Sequence, residues 1–241
     1  MAVLILLRHG RTNANASGLL AGRTPGVRLD DVGSEQAERA AARLSTVPLA
    51  AVVTSPQERC RQTAAAVLRA QRAAGHPAQR AMTDRGIAEC DYGDWQGQKI
   101  QALIKEPLWR TVQQQPSAVT FPGGESMSTM QHRAVSALRR RDAVLSQTHG
   151  PNAVWVAASH GDIIKSVLAD ALGMHLDHFQ RIHVDPASIS IVRYAEGRPY
   201  LLASNTHDGD LSWLATTPEK ARTGHQDAVP TIGGGSGPGT R

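Results

Sequence analysis

Apolar residues fall into three short continuous runs separated by longer stretches with helical spacing. Val3 to Leu7 is the first run, partly β-branched and the length of one buried strand. Ala50-Ala51-Val52-Val53-Thr54 is the second, and Ala153 to Ala158 the third. Between them the period changes. Ala37, Ala40, Ala41 and Leu44 share one face of a helix that Asp30 is suited to cap. Ser55-Pro56 reads as the N-cap and first position of a helix that runs to about Ala74 and stops near Gly75 and Pro77. A strand is predicted over 83–89, a loop over 91–97 and short helical pieces to Gln115. Met127, Met130, Ala134, Leu138 and Leu145 make the inner side of a long helix from about Ser126 to Ser146. Asp162 to Leu172 and His175 to Arg181 predict two more helices. Ala187 to Tyr194 alternates, and Arg198 to Ala203 follows after Glu196-Gly197, which reads as an antiparallel hairpin.

Strands alternating with helices predict an α/β fold: a doubly wound, mostly parallel sheet with helices on both faces and the hairpin as its antiparallel edge. This domain is expected to occupy 1–215. From about Thr216 the chain turns Pro-, Gly- and polar-rich, so 216–241 predicts a disordered tail.

Composition removes several function classes. The 241 residues are 41% hydrophobic and 20% charged, ordinary for a globular protein, while aromatics at 4% leave the core to Ala, Val, Leu and Ile. No apolar run approaches the ~20 residues of a membrane helix. Met1 to Leu7 is too short for a signal-peptide core. Cys60 and Cys90 alone provide no disulfide framework. A cytoplasmic protein without a membrane partner is expected. The formal net charge is +5, carried mostly by arginine. The longest basic cluster, Arg139-Arg140-Arg141, lies mid-helix with few aromatics nearby and reads as a solvated face, so no nucleic-acid partner is expected. His175, Asp177, His178 and His183 are close in sequence, but no further ligand set joins them. There is no Walker A sequence, no His-Glu-x-x-His and no Cys-x5-Arg loop. Neither metal nor cofactor is expected, and a homodimer is the base expectation for association.

The first strand ends in Arg8-His9-Gly10, followed by Thr12 and Asn15. In open α/β sheets ligands bind beyond the carboxyl ends of strands. A cation, an imidazole, a glycine that lets backbone approach a ligand, and polar groups on the next turn suit an anion, phosphate above all. Three later features fall on comparable loops: Arg59 early in the helix after the second run, Glu89 before the Tyr92-Gly93 turn, and Ser159-His160-Gly161 after the third run. A shared sheet edge would bring them together. Taken singly, Glu89 also reads as a surface carboxylate and His160 as a structural histidine. Arg61 rivals Arg59 from another helix face. Trp95, Trp109 and Phe121 read equally as a substrate wall or as core.

Taken in order, five blocks resemble the histidine phosphatase superfamily, in its phosphoglycerate mutase-like branch. They are Arg8-His9-Gly10-x-Thr12-x-x-Asn15, Ser55-Pro56-x-x-Arg59-x-x-Gln62-Thr63-Ala64, Glu89-x-x-Tyr92-Gly93-x-Trp95-x-Gly97, Pro122-Gly123-Gly124-Glu125-Ser126 and Ser159-His160-Gly161. The resemblance implies that His9 attacks phosphorus and becomes a phosphohistidine, while Arg8, Arg59 and protonated His160 hold the phosphoryl oxygens. It implies Glu89 as proton donor to the leaving alcohol. Asn15, backbone amides around Ala21 and Gly22, and Gly161 complete the implied phosphate contacts. The implied substrate is a small phosphate monoester. Three functions follow: a metal-independent phosphatase, a mutase, or a non-catalytic phospho-ligand binder. The mutases of this family carry Glu-Arg-His-Tyr-Gly where this chain has Glu89-Cys90-Asp91-Tyr92-Gly93, and Arg110 is the only arginine over 97–125. An added anion at Asp91 disfavours a second carboxylate or phosphate in the substrate. The phosphatase is therefore favoured.

Overall fold

A computed structural model describes residues 2–77, 80–195 and 198–215. The strands are β1 (Val3–Arg8), β2 (Ala51–Thr54), β3 (Met82–Thr83), β4 (Val154–Ser159), β5 (Ile189–Ala195) and β6 (Arg198–Thr206). They form one sheet in the order β3-β2-β4-β1-β5-β6. Neighbours from β3 to β1 are parallel, and β5 and β6 continue antiparallel. The helices are α1 (Asn13–Ala16), α2 (Asp31–Leu44), α3 (Glu58–Ala73), α4 (Ile100–Leu103), α5 (Pro107–Gln114), α6 (Met127–His149) and α7 (Gly161–Ala171).

The mixed sheet matches the expected α/β class. The three apolar runs are β1, β2 and β4, and they are continuous because a strand covered on both faces buries both sets of side chains. Leu4, Leu6, Trp155 and Ala157 pack with Met130, Leu138 and Ile163 from α6 and α7. Val3, Ile5, Leu7, Val156 and Ala158 pack with Ala37, Ala41, Leu44 and Val67 from α2 and α3. Asp30 caps α2 as expected, its carboxylate accepting from Gly33 N–H at 2.7 Å.

Several boundaries differ from expectation. The strand over 83–89 shrinks to β3, followed by a 3-10 turn at Arg85–Ile87. Ser55 is not an N-cap: α3 starts at Glu58, after a Gln57 whose side chain makes no cap bond. The stretch after Gly10 contains the one-turn α1, with Thr12 and Asn15 joined in a reciprocal cap. The segment 175–181 is a 3-10 helix, Leu176–Arg181. Strand β6 runs three residues beyond Ala203. The stretch 216–241 and the hairpin tip 196–197 lie outside the described residues.

Candidate active site

The C-terminal ends of β1, β2 and β4 share one edge, with Arg8 level with Ser159 and Thr54 level with Ala158. His9 N–H donates to the Ser159 carbonyl at 2.9 Å, and Ser55 N–H to the Ala158 carbonyl at 3.0 Å. The parallel ladder thereby aligns three loops that are distant in sequence. The first turn of α3 lays Arg59 across them. Its Nε donates to His9 Nε2 at 3.2 Å and its Nη2 to His160 Nδ1 at 3.1 Å. The two imidazoles meet edge to face, centroids 5.2 Å apart. Glu89 closes the cluster, its Oε2 lying 3.6 Å from His160 Nδ1 and 4.0 Å from Arg59 Nη2. Arg61 is exposed, so only Arg59 belongs here.

Hydrogen bonds set the state of each ring. His9 Nδ1–H donates to the Gly10 carbonyl at 2.7 Å, which leaves Nε2 with its lone pair toward Arg59. Burial, reinforced by Arg59 and Arg8, holds this imidazole well below the ordinary histidine range. His9 is therefore neutral near pH 7. His160 Nδ1 accepts from Arg59, so its Nε2–H donates to Ser55 Oγ at 2.7 Å. The Ser55 hydroxyl in turn donates a hydrogen bond to Gln57 Oε1. Burial, with Arg59, His9 and Arg8 around it, also pushes His160 well down. Without a bound anion the surrounding cations hold the ring neutral, so the protonated His160 that was expected needs an anion beside it.

Two guanidinium donors are left over. Arg8 Nη1 donates to the Val184 carbonyl at 2.6 Å, but its Nε finds no acceptor among the described residues. Arg59 Nη1 is likewise buried without an acceptor. A buried donor left unmade costs about 1–3 kcal/mol, more when charged, so two in one site call for a reason. Glu89 is only 9% exposed, with its Oε1 accepting from Cys90 N–H at 3.0 Å. Burial, and then the nearby Asp162 carboxylate, push it up to about 7. The cluster holds surplus cationic donors, a neutral imidazole with a basic nitrogen and a carboxyl able to hold a proton near neutrality.

Residues 4–207 match the family model of the histidine phosphatase superfamily, branch 1. The chain belongs to this superfamily. It is 34% identical over 198 residues to a bifunctional protein of Mycobacterium tuberculosis, covering 80% of this chain and 51% of that one. The chain thus spans about half the length of that relative. It is 28% identical over 208 residues to phosphoserine phosphatase 1 of Hydrogenobacter thermophilus, covering 85% and 92%. The solved structure of a mycobacterial glucosyl-3-phosphoglycerate phosphatase with VO3 shares the fold at TM-score 0.74 and 23% identity, covering 85% and 98%.

Other superfamily motif residues are accounted for by geometry. Gly10 is required less by a ligand than by α2: a side chain there would run into the Gly33 carbonyl, and one on Gly33 into Arg11. Thr63 Oγ1 accepts the Gly10 N–H at 3.2 Å, and Gln62 Oε1 the Leu29 N–H at 2.9 Å. Asn15 Oδ1 is committed to Thr12, leaving only its amide N–H groups to offer outward. Gly22 engages the cluster through its carbonyl, which accepts from Arg59 Nη2 at 2.8 Å, and the Ala21 carbonyl accepts from Thr24. Gly161 opens α7 against the Arg8 guanidinium. Trp95 and Phe121 are buried and meet edge to face, and Trp95 also stacks on the partly buried Trp109, which settles them as core. His175 accepts from Asp177 N–H as a cap, and no group of three metal-binding side chains occurs among the described residues.

Sequence reasoning did not single out Ser55 and Gln57 as the polar support of His160. It also missed Arg23, Glu125 and Arg133, which surround the backbone of Glu89. Glu125 lay within a recognised block. Arg133, on the polar side of α6, carried no local signal.

Proposed function

We propose that the chain is a phosphatase that hydrolyses small phosphate monoesters in two displacements through a phosphohistidine on His9. The observation that carries this reading is the pair of buried guanidinium donors without acceptors, Arg8 Nε and Arg59 Nη1, beside the neutral His9 imidazole. A phosphoryl group supplies the missing acceptors. The Arg59 Nε–H hydrogen bond, now made to His9 Nε2, is redirected to a phosphoryl oxygen and frees the nitrogen lone pair. A bound dianion also reverses the field at His160, which then protonates and donates to it. Asn15, the amides near Ala21 and Gly22, and Gly161 border the same phosphate.

In the first displacement His9 Nε2 forms a bond to phosphorus as the ester P–O bond breaks. Glu89 gives its proton to the leaving oxygen. In the second, water attacks phosphorus, Glu89 takes the water proton and the P–N bond breaks. Phosphate leaves and His9 is neutral again, still held at Nδ1 by Gly10. Positioning and charge do most of this work, as phosphoryl transfer requires. The chemistry has no step that calls for a metal. For a mutase, a pair of arginines over 97–125 would be needed to hold a second phosphate, yet the one arginine there, Arg110, is exposed and bonded to Gln114. Asp91 is paired with Arg23 rather than replaced by a cation.

The test is incubation with a general phosphate monoester in the absence of added metal, beside His9→Ala. Phosphate release and an acid-labile phosphoryl group on the wild-type protein alone are expected. Equal release from both proteins would overturn the assignment. A coupled assay of 3-phosphoglycerate with 2,3-bisphosphoglycerate tests the mutase reading and is expected to be negative.

A further inference from the structure

Glu89 stands where a strand fails to continue. The sheet partner β3 ends at Thr83, and the chain then passes through the 3-10 turn at Arg85–Ile87. Residues 86–89 therefore lack the ladder hydrogen bonds that fix a strand residue. The Ile87 carbonyl accepts from Ser159 Oγ at 2.9 Å, and the other three are held by one side chain of α6. Arg133 Nη1 donates to the Gly86 and Ala88 carbonyls, both at 2.8 Å, and Nη2 to the Glu89 carbonyl at 3.1 Å. Its other two N–H groups go to Glu125: Nε to Oε2 at 2.9 Å and Nη2 to Oε1 at 2.6 Å. All five donors of the guanidinium are thus used. Arg23 clamps the same carbonyl from the other side, with Nε 2.8 Å from Glu89 O and Nη2 2.9 Å from Glu125 Oε1. Glu125 Oε1 also accepts the Asp91 N–H at 2.9 Å.

We infer that Arg133, locked by Glu125, is a positioning residue that aims the Glu89 carboxyl at the leaving-group oxygen. This inference rests on Glu89 being the proton donor. The forked guanidinium is suited to the task because it reaches three carbonyls and a carboxylate in one rigid plane. A lysine presents its donors from one point and cannot span 86–89. Because Arg133 touches the backbone of Glu89 and not the His9 nitrogen, its loss should spare the attack on phosphorus and impair the proton transfers of Glu89, of which kcat/KM reads only the one to the leaving oxygen.

That separation can be measured. Wild type, Arg133→Lys, Arg133→Ala, Glu125→Gln and Glu89→Gln are compared by kcat/KM, which excludes the shared hydrolysis of the phosphohistidine, on p-nitrophenyl phosphate and on an alkyl phosphate such as glycerol phosphate. The first leaving group departs without a proton; the second needs one. General acid catalysis contributes about 10²- to 10⁴-fold, so Glu89→Gln should lose on the order of 10²-fold or more on the alkyl ester and far less on the nitrophenyl ester. Arg133→Lys and Arg133→Ala should show the same selective loss, about tenfold or more, with Glu125→Gln showing a smaller loss of the same kind. An equal fall on both esters would mark Arg133 as merely structural and overturn the inference. So would an alkyl-ester rate unchanged in Arg133→Lys. If Glu89→Gln itself shows no leaving-group dependence, the proton-donor role fails, and that outcome is distinct from the failure of Arg133 alone. Arg133→Lys and Glu125→Gln keep the comparison open if Arg133→Ala does not fold.

Discussion

Two arginine clusters stand on either side of Glu89, and they are built on opposite terms. In the first, Arg8 and Arg59 sit among His9 and His160 with a buried donor each left unmatched. In the second, Arg133 has every N–H engaged, and Arg23 meets Glu125, Asp91 and the Glu89 carbonyl. The residue type is the same; the acceptors differ. A guanidinium matched by carboxylates and carbonyls holds the fold in place. One left partly unmatched in a buried site costs stability and is available to an anion. The same contrast shapes the titratable groups between them. His9 and His160 lie among cations and stay neutral, while Glu89 is buried, faces Asp162 and is pushed up to about 7.

The largest effect should come from removing the proposed nucleophile. His9→Ala should lower kcat on any phosphate monoester by ~10³-fold or more, read by phosphate release, with no phosphorylated protein formed. Next comes the direct contrast of the clusters. Arg59→Met should cost about 10²- to 10³-fold in kcat/KM while leaving the thermal midpoint unchanged or raised, because a buried and poorly matched charge is gone. Glu125→Ala should do the reverse to stability, lowering it by about 2 kcal/mol because it strands two arginines that are only partly exposed. A falling midpoint in Arg59→Met would break the comparison.

Proton linkage gives a smaller effect with a definite sign. The proposed donor role of Glu89 requires its protonated form, so kcat/KM on alkyl phosphates should decline above about pH 7, and Glu89→Gln should remove that limb. For stability, a carboxyl raised from 4.5 to about 7 binds more protons in the folded chain, so its contribution grows as pH falls through that window. The two histidines act oppositely. They are neutral when folded and take protons when unfolded, so stability is lost as pH falls below 6.5. Denaturant midpoints of Glu89→Gln across pH 5 to 8, a window of roughly the affected range, should show the histidine loss alone. The smallest effect is expected far from the edge: Arg139→Ala breaks an exposed pair with Asp170 and should change stability by about 0.5 kcal/mol or less, with no change in kinetics.

Much of this was legible along the chain. The apolar runs predicted β1, β2 and β4 because a doubly covered strand leaves no polar alternation to obscure it. The Asp30 cap was legible because capping is a local hydrogen bond. Ser55-Pro56 carried the same signal and misled, since a long-range partner, His160, took the serine hydroxyl. The strand over 83–89 misled for a related reason: side chains distant in sequence, Arg133, Arg23 and Ser159, hold the carbonyls of 86–89 that a ladder would have held.

The sequence by itself determined the three central strands, the helix faces and the identity of the residues at the sheet edge, because burial period, capping and motif spacing are properties of neighbours in the chain. Only the tertiary structure decided that His160 is neutral, that Glu89 titrates near 7, and which arginines keep donors in reserve. Those are properties of distance and desolvation among groups that the chain brings together only when the sheet has formed.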